Sequence, residues 1–183
     1  SMPDDRLLEL AGKAQLRKNL KQEILRMLSD KKVAALVGNF AGQWLQLRNL
    51  DVYQPDKKLF PMFTPELRAA MRRETEQLFS HIALENHSVL EILSADYSFL
   101  NERLAGFYGI SGVKGNSFRL VSLRGIPRGG ILTHASVLTI TSDPNRTSPV
   151  KRGKYVLENI LGTPPPDPPA DVPSLGEAAK KTG

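Results

Sequence analysis

Hydroxyl, guanidinium and ammonium groups concentrate in one stretch, Thr141-Ser142-Asp143-Pro144-Asn145-Arg146-Thr147-Ser148-Pro149-Val150-Lys151-Arg152-Gly153. Ser148-Pro149 reads as a helix start. The hydroxyl can accept from first-turn N–H groups, and proline's missing N–H costs nothing at the first helical position. Free N–H groups there, with Arg146, Thr147, Ser148, Lys151 and Arg152 nearby, are the donors that bind a carboxylate or phosphate. The competing reading is that Ser148 only caps its helix while Arg146 pairs with an acid at the core edge.

Other chemistry is sparse. Glu74, Glu76 and His81 share a helix, but residues two apart do not share a face, and Glu74 reads as the flank of a packed helix. His81 and His87 are six apart, whereas helical metal ligands want a spacing of three or four, so no metal site is expected. His134, in Thr133-His134-Ala135-Ser136, reads as an interior polar residue or a ligand. The chain has no cysteine, which excludes disulfides, thiol nucleophiles, thiolate zinc sites and thioether-linked cofactors within these residues. No Gly-x-Ser-x-Gly elbow is present, and Gly129-Gly130 lacks the spacing of a phosphate loop, so tight packing or a turn accounts for it. No catalytic residue is assigned. Asn86-His87-Ser88 and Asn145-Arg146-Thr147 match the glycosylation triplet, too short a pattern to carry weight.

The elements that position these residues are mostly helical. Asp4 or Asp5 can cap a first short helix that Gly12 stops. Leu16, Leu20, Ile24 and Leu28 recur at helical spacing, and after Ser29-Asp30 so do Val33, Leu36, Val37, Phe40, Trp44 and Leu47. This predicts two helices packed as a hairpin. Asn49 to Thr64, with Pro55 and Pro61, predicts a long ordered loop with Phe60, Met62 and Phe63 pinned in the core. Thr64-Pro65-Glu66 opens a long helix through Ile82, and Ser88 and Asn101 can cap two short ones. The alternation of Phe118, Leu120 and Ser122 with Arg119, Val121 and Leu123 is the one strand signal, with no evident partner. Ile131 to Leu138 leans to helix, and 143–145 turns the chain into a helix running to Gly162. Six of the thirteen prolines lie between Pro164 and Pro173, as in a polyproline-like linker. The expected fold is thus mainly α: a multi-helix bundle with at most one short β element and a Pro-rich C-terminal tail. The expected units are a helical domain at 4–110, a smaller helical segment at 111–162 packed on it, and a linker with a frayed tail at 163–183.

Composition sets the outer limits. With 40% apolar and 24% charged residues, the 183-residue chain can build a core. No apolar run approaches the roughly 18 residues of a membrane span. Ser1-Met2 ahead of Pro3 reads as a cloning remnant. The net charge of +6 is uneven: 1–58 carries +4, 59–110 carries −3 and 111–183 carries +5. Basic residues are interrupted by acids and not interleaved with aromatics, which argues against nucleic acid as a partner.

Three segments together resemble a known family. They are Phe40-Ala41-Gly42-Gln43-Trp44-Leu45 with Leu47-Arg48; Asp96-Tyr97-Ser98-Phe99-Leu100-Asn101 running to Tyr108-Gly109-Ile110; and Arg128-Gly129-Gly130-Ile131-Leu132-Thr133 onward through Thr147-Ser148-Pro149-Val150-Lys151-Arg152-Gly153 to Leu161-Gly162 and Pro164-Pro165-Pro166. Over about residues 14–175 the chain resembles two adjacent domains of unknown function from large planctomycete-type cytochrome c proteins. The resemblance implies an exported protein with a Cys-x-x-Cys-His haem-attachment pattern soon after the proline-rich linker. Haem c is thus expected downstream and no cofactor within these residues; His134 as a haem-facing ligand stays an alternative to interior use. The implied role is a non-catalytic structural or interaction module that positions the haem-binding segment. Its partners would be other domains of the same polypeptide, with a redox partner protein as a further candidate. Two rivals stand beside it: an enzyme domain acting on carbohydrate, with a pocket between the 49–64 loop and the Arg146 turn, and a binder of acidic polymers through the Arg146–Lys154 region.

Overall fold

Helix α1 (Asp5–Gly12) starts where the Asp4 side chain accepts from the Leu7 N–H at 3.0 Å. It packs on α2 (Leu16–Leu28), and Glu23, 1% exposed, is covered by Arg6 and Arg26 at 2.7 Å each. The computed structural model describes residues 2–166, so the linker and frayed tail expected beyond 166 lie outside the described residues. A continuous helical rod follows, made of α3 (Val33–Leu36), a π-helical turn (Val37–Ala41) and α4 (Gly42–Trp44). The expected hairpin with α2 does not form. The rod's buried residues Val37, Ala41 and Leu45 serve a contact with the long helix that starts at Pro65, so Leu20, Ile24, Leu25 and Met27 of α2 remain 44–57% exposed.

After α5 (Asn49–Val52) comes an irregular stretch and then α6 (Pro65–Leu84), whose Thr64 hydroxyl accepts from the Leu67 N–H at 3.2 Å. Pro65 fits the first helical position because no N–H is needed there. The buried face of α6 is Leu67, Ala70, Met71, Glu74, Thr75, Leu78 and Ile82, the three-and-four spacing of an amphipathic helix with two polar residues at its centre. One end of this face enters a cluster with Leu100, Leu104, Ala105 and Ala135, and the other enters a cluster with Ala41, Leu45, Leu47, Ile92 and Ile131. Burying a leucine of this kind stabilises by roughly 1.5–3 kcal/mol. Two apolar cores are therefore strung along one helix with a polar belt between them.

Helix α7 (Glu91–Ser94) leads to strand β1 (Tyr97–Leu100), α8 (Glu102–Tyr108) and β2 (Arg119–Ser122). Strand β2 pairs antiparallel with β1, Phe99 facing Leu120. A 3₁₀ turn (Ile131–Thr133) precedes α9 (Ala135–Ile140), which packs on α5 and α6. Strands β3 (Ser142–Asp143) and β4 (Arg146–Thr147) then form a two-residue hairpin, and α10 (Pro149–Tyr155) ends in a π-helical turn (Val156–Ile160). The chain is mainly α, but among the described residues there are two small two-stranded sheets where at most one short β element is expected. β1 is four residues long with one buried face, too short for alternation to show against the helix that follows.

The loop expectation also needs correction. Phe63 packs against the second core, but Phe60 and Met62 are 47% and 66% exposed. Backbone pairing fixes the loop instead: the Asp56 N–H donates to the Pro144 carbonyl at 2.9 Å, and the Tyr53 hydroxyl donates to the Asp143 carbonyl at 2.8 Å. At the chain's other end, the Trp44 indole N–H donates to the Asn159 carbonyl at 2.6 Å and the Tyr155 hydroxyl donates to the Leu45 carbonyl at 3.1 Å. Among the described residues no helix is long and apolar enough to cross a membrane.

Candidate functional site

The loop and the β3–β4 hairpin enclose a groove of about 510 Å³. Its floor and walls are apolar: Tyr53, Leu59, Phe60, Met62, Phe63, Met71, Phe107 and Leu138. Arg128, Arg146 and Arg152 and one acid, Asp143, stand among them. Residues 53–71 and 107 supply one side, and 128–152 the other.

The structure brings the sequence-chosen residues together around Asp143. Lys151 Nζ lies 2.6 Å from Asp143 Oδ1 and Arg146 Nε 3.2 Å from Oδ2. These cations, Lys151 first, hold the Asp143 carboxyl below its ordinary range. The Ser148 hydroxyl accepts from the Lys151 N–H at 3.4 Å, and Thr147 sits in β4. Much of the positive charge of Arg146 and Lys151 is therefore met inside the protein. Arg152 differs: its Nε is buried and has no hydrogen-bond partner among the described residues.

Arg128, which the sequence gives no reason to choose, lines the groove and lies over the Tyr108 ring at 3.8 Å, donating to the Thr133 carbonyl at 2.8 Å. Behind it lies the polar belt. Tyr108 donates to Glu74 Oε2 at 2.6 Å and accepts from the Ala135 N–H at 2.8 Å, while Ser98 donates to Glu74 Oε1 at 2.8 Å. His134, 2% exposed, has Nδ1 2.9 Å from Thr75 Oγ1 and Nε2 3.8 Å from Glu74 Oε1, and Thr75 Oγ1 is 2.7 Å from Ser136 Oγ. One proton arrangement leaves every member partnered: Ser136 donates to Thr75, Thr75 to His134 Nδ1, and the Nε2–H points to Glu74 and Ser98. Burial pushes the His134 pKa down, so the ring is neutral as this arrangement requires. Burial likewise raises the pKa of the Tyr108 hydroxyl, so it stays a donor.

This belt has the residue types of acid–base chemistry, yet its members are spent on one another and lie between the two cores. Among the described residues the groove presents the single carboxyl of Asp143, whereas glycoside hydrolysis needs two about 5–10 Å apart. Sequence spacing could not find the belt, because Glu74 and Thr75 meet His134 and Ser136 only through the tertiary fold.

Comparison with known families assigns the two sides of the groove. Residues 1–110 match the family described as PSD4, a protein of unknown function (DUF1592). Residues 128–183 match PSCyt3, a protein of unknown function (DUF1588). The two are adjacent in the chain and are domains of unknown function associated with planctomycete cytochrome c. No curated protein and no solved structure matches.

Proposed function

The chain belongs to the DUF1592 family, with a DUF1588 segment following it, and from this we propose that it is a non-catalytic interaction module of an exported, multidomain c-type cytochrome-like protein. It holds a haem-bearing part of the same polypeptide in place and itself carries no haem. The observation that supports this most is the groove: apolar, shared by both family segments, edged with arginine and, among the described residues, lined by one acid. An apolar anchor flanked by a carboxylate fits such a surface. The aromatic wall buries the anchor, and the arginines at the groove's edge supply positive charge for the carboxylate.

Titration of the separately produced haem-bearing segment into this chain, followed calorimetrically, tests the reading. Saturable binding is expected, weakened at least about tenfold by Met62→Asp, since a charge at the centre of an apolar contact is left desolvated and unpaired. Met62 is 66% exposed, so the substitution spares the fold. Absence of binding, or binding indifferent to Met62→Asp, contradicts it. A second reading, an acidic-polymer site at Arg146, Thr147, Ser148, Lys151 and Arg152, draws on Arg152 alone, because Asp143 already occupies Arg146 and Lys151. It calls for a steep salt dependence of polymer binding.

A further inference from the structure

At the far end of α6, away from the groove, His81, Glu85 and His87 converge so that one donor atom of each lies within 4.8 Å of the others. The local backbone makes this happen. His81 and Glu85 are one helical turn apart and share a face. Asn86 then takes a left-handed conformation, φ 58°, and the His87 N–H donates back to the Ile82 carbonyl at 3.0 Å. This turn folds His87 over His81, their ring centroids 4.4 Å apart. A sequence separation of six is thereby converted into a facing pair.

We propose that His81, Glu85 and His87 form a binding site for a divalent transition-metal ion of the Zn²⁺ class. His81 Nδ1 stands 2.9 Å from Glu85 Oε1, and His87 Nε2 stands 3.9 Å from Glu85 Oε2. An ion about 2.0–2.2 Å from each donor requires donors roughly 3–4 Å apart, so small rotations of the exposed Glu85 complete the set. Two imidazoles and a carboxylate select Zn²⁺, Cu²⁺ or Ni²⁺ over Mg²⁺ or Ca²⁺, which take oxygen ligands.

Two further features suit a cation. The other ring nitrogen of His87, Nδ1, lies 3.4 Å from Glu91 Oε2, and the Tyr97 hydroxyl donates to that same oxygen. A carboxylate behind a ligating histidine fixes its tautomer and orientation, and here the carboxylate is itself held. The site also sits at the C-terminus of a twenty-residue helix, where the backbone dipole favours positive charge. His81 is anchored edge-on between Tyr97 at 5.6 Å and Phe99 at 5.3 Å, so one ligand is preplaced on the sheet. Three protein ligands leave a coordination position for water or for a side chain of another domain. The ion would clamp the end of α6 to the turn leading into α7.

The test uses the 183-residue chain without an affinity tag. Zn²⁺ titrated calorimetrically is expected to bind one per chain, and Co²⁺ to give visible d–d bands. Glu85→Gln and His87→Gln, both at exposed positions, each weaken binding at least about tenfold, and Glu91→Gln about tenfold through the His87 ring. At equal Zn²⁺ the melting temperature of the parent chain rises more than that of Glu85→Gln. No saturable binding, equal binding of Mg²⁺, or binding unchanged in both the Glu85 and His87 variants overturns the proposal.

Discussion

Tyr108 is the side chain on which the polar belt turns, joining α8 to Glu74 of α6 and to the first N–H of α9. Tyr108→Phe leaves a buried carboxyl oxygen and a backbone N–H without partners. Each unsatisfied buried group costs about 1–3 kcal/mol, so denaturant melts are expected to show a loss of at least about 2 kcal/mol. His134 contributes a pH dependence. Its folded pKa lies below the unfolded value near 6.5, so between the two the unfolded chain binds more protons. Stability is therefore expected to fall as pH drops from 7 through 6.5 toward the folded value. Melting temperatures measured across that range check this, and His134→Gln should flatten the slope. Carboxylates such as Asp96 and Glu102, whose pKa values are depressed by Arg124 and by the Gly115 N–H respectively, act in a lower window, below about 4.5. His134 as an interior residue was legible from its small and hydroxyl neighbours. Glu74 was not, since a lone acid on an amphipathic helix looks like a flank until its three partners arrive from elsewhere in the chain.

Local rules carried the elements that begin with a cap. Asp4, Thr64-Pro65, Asn101 and Ser148-Pro149 all accept from an N–H three residues on, because the interaction lies within a few residues of chain. Elements set by contact were illegible: β1 forms because β2 lies beside it, and α2 keeps an exposed apolar face because the rod spends its stripe on α6. Likewise the turn at Asn86 turned a spacing that argued against a metal into a convergent set. Gly129-Gly130 was legible as tight packing or a turn, and its cause is now specific. Gly130 has φ +57°, and a Cβ there would meet the Leu93 carbonyl oxygen at 2.3 Å. Gly130→Ala adds both strain and a backbone clash at the end of α7. It is expected to cost more than about 2 kcal/mol in equilibrium unfolding, while Gly106→Ala, with open space around it, should be tolerated.

At the scale of the molecule, the two family segments meet along α6 and α9 and jointly shape the groove, so its form depends on both. The mainly α architecture and the family were readable from sequence because helical periodicity and the Arg128–Gly162 motif run through much of the chain. The groove was readable only as an outline between the 49–64 loop and the Arg146 turn. The exposure of Phe60 and Met62, which leaves apolar side chains on its wall open to solvent, required the fold. The central claim is that this chain supports a haem-bearing partner within one polypeptide. The reduced pyridine haemochrome spectrum of the intact natural protein tests it most directly. A c-type haem spectrum is expected there, with none from residues 1–183 alone; an intact protein without haem absorbance would contradict the account.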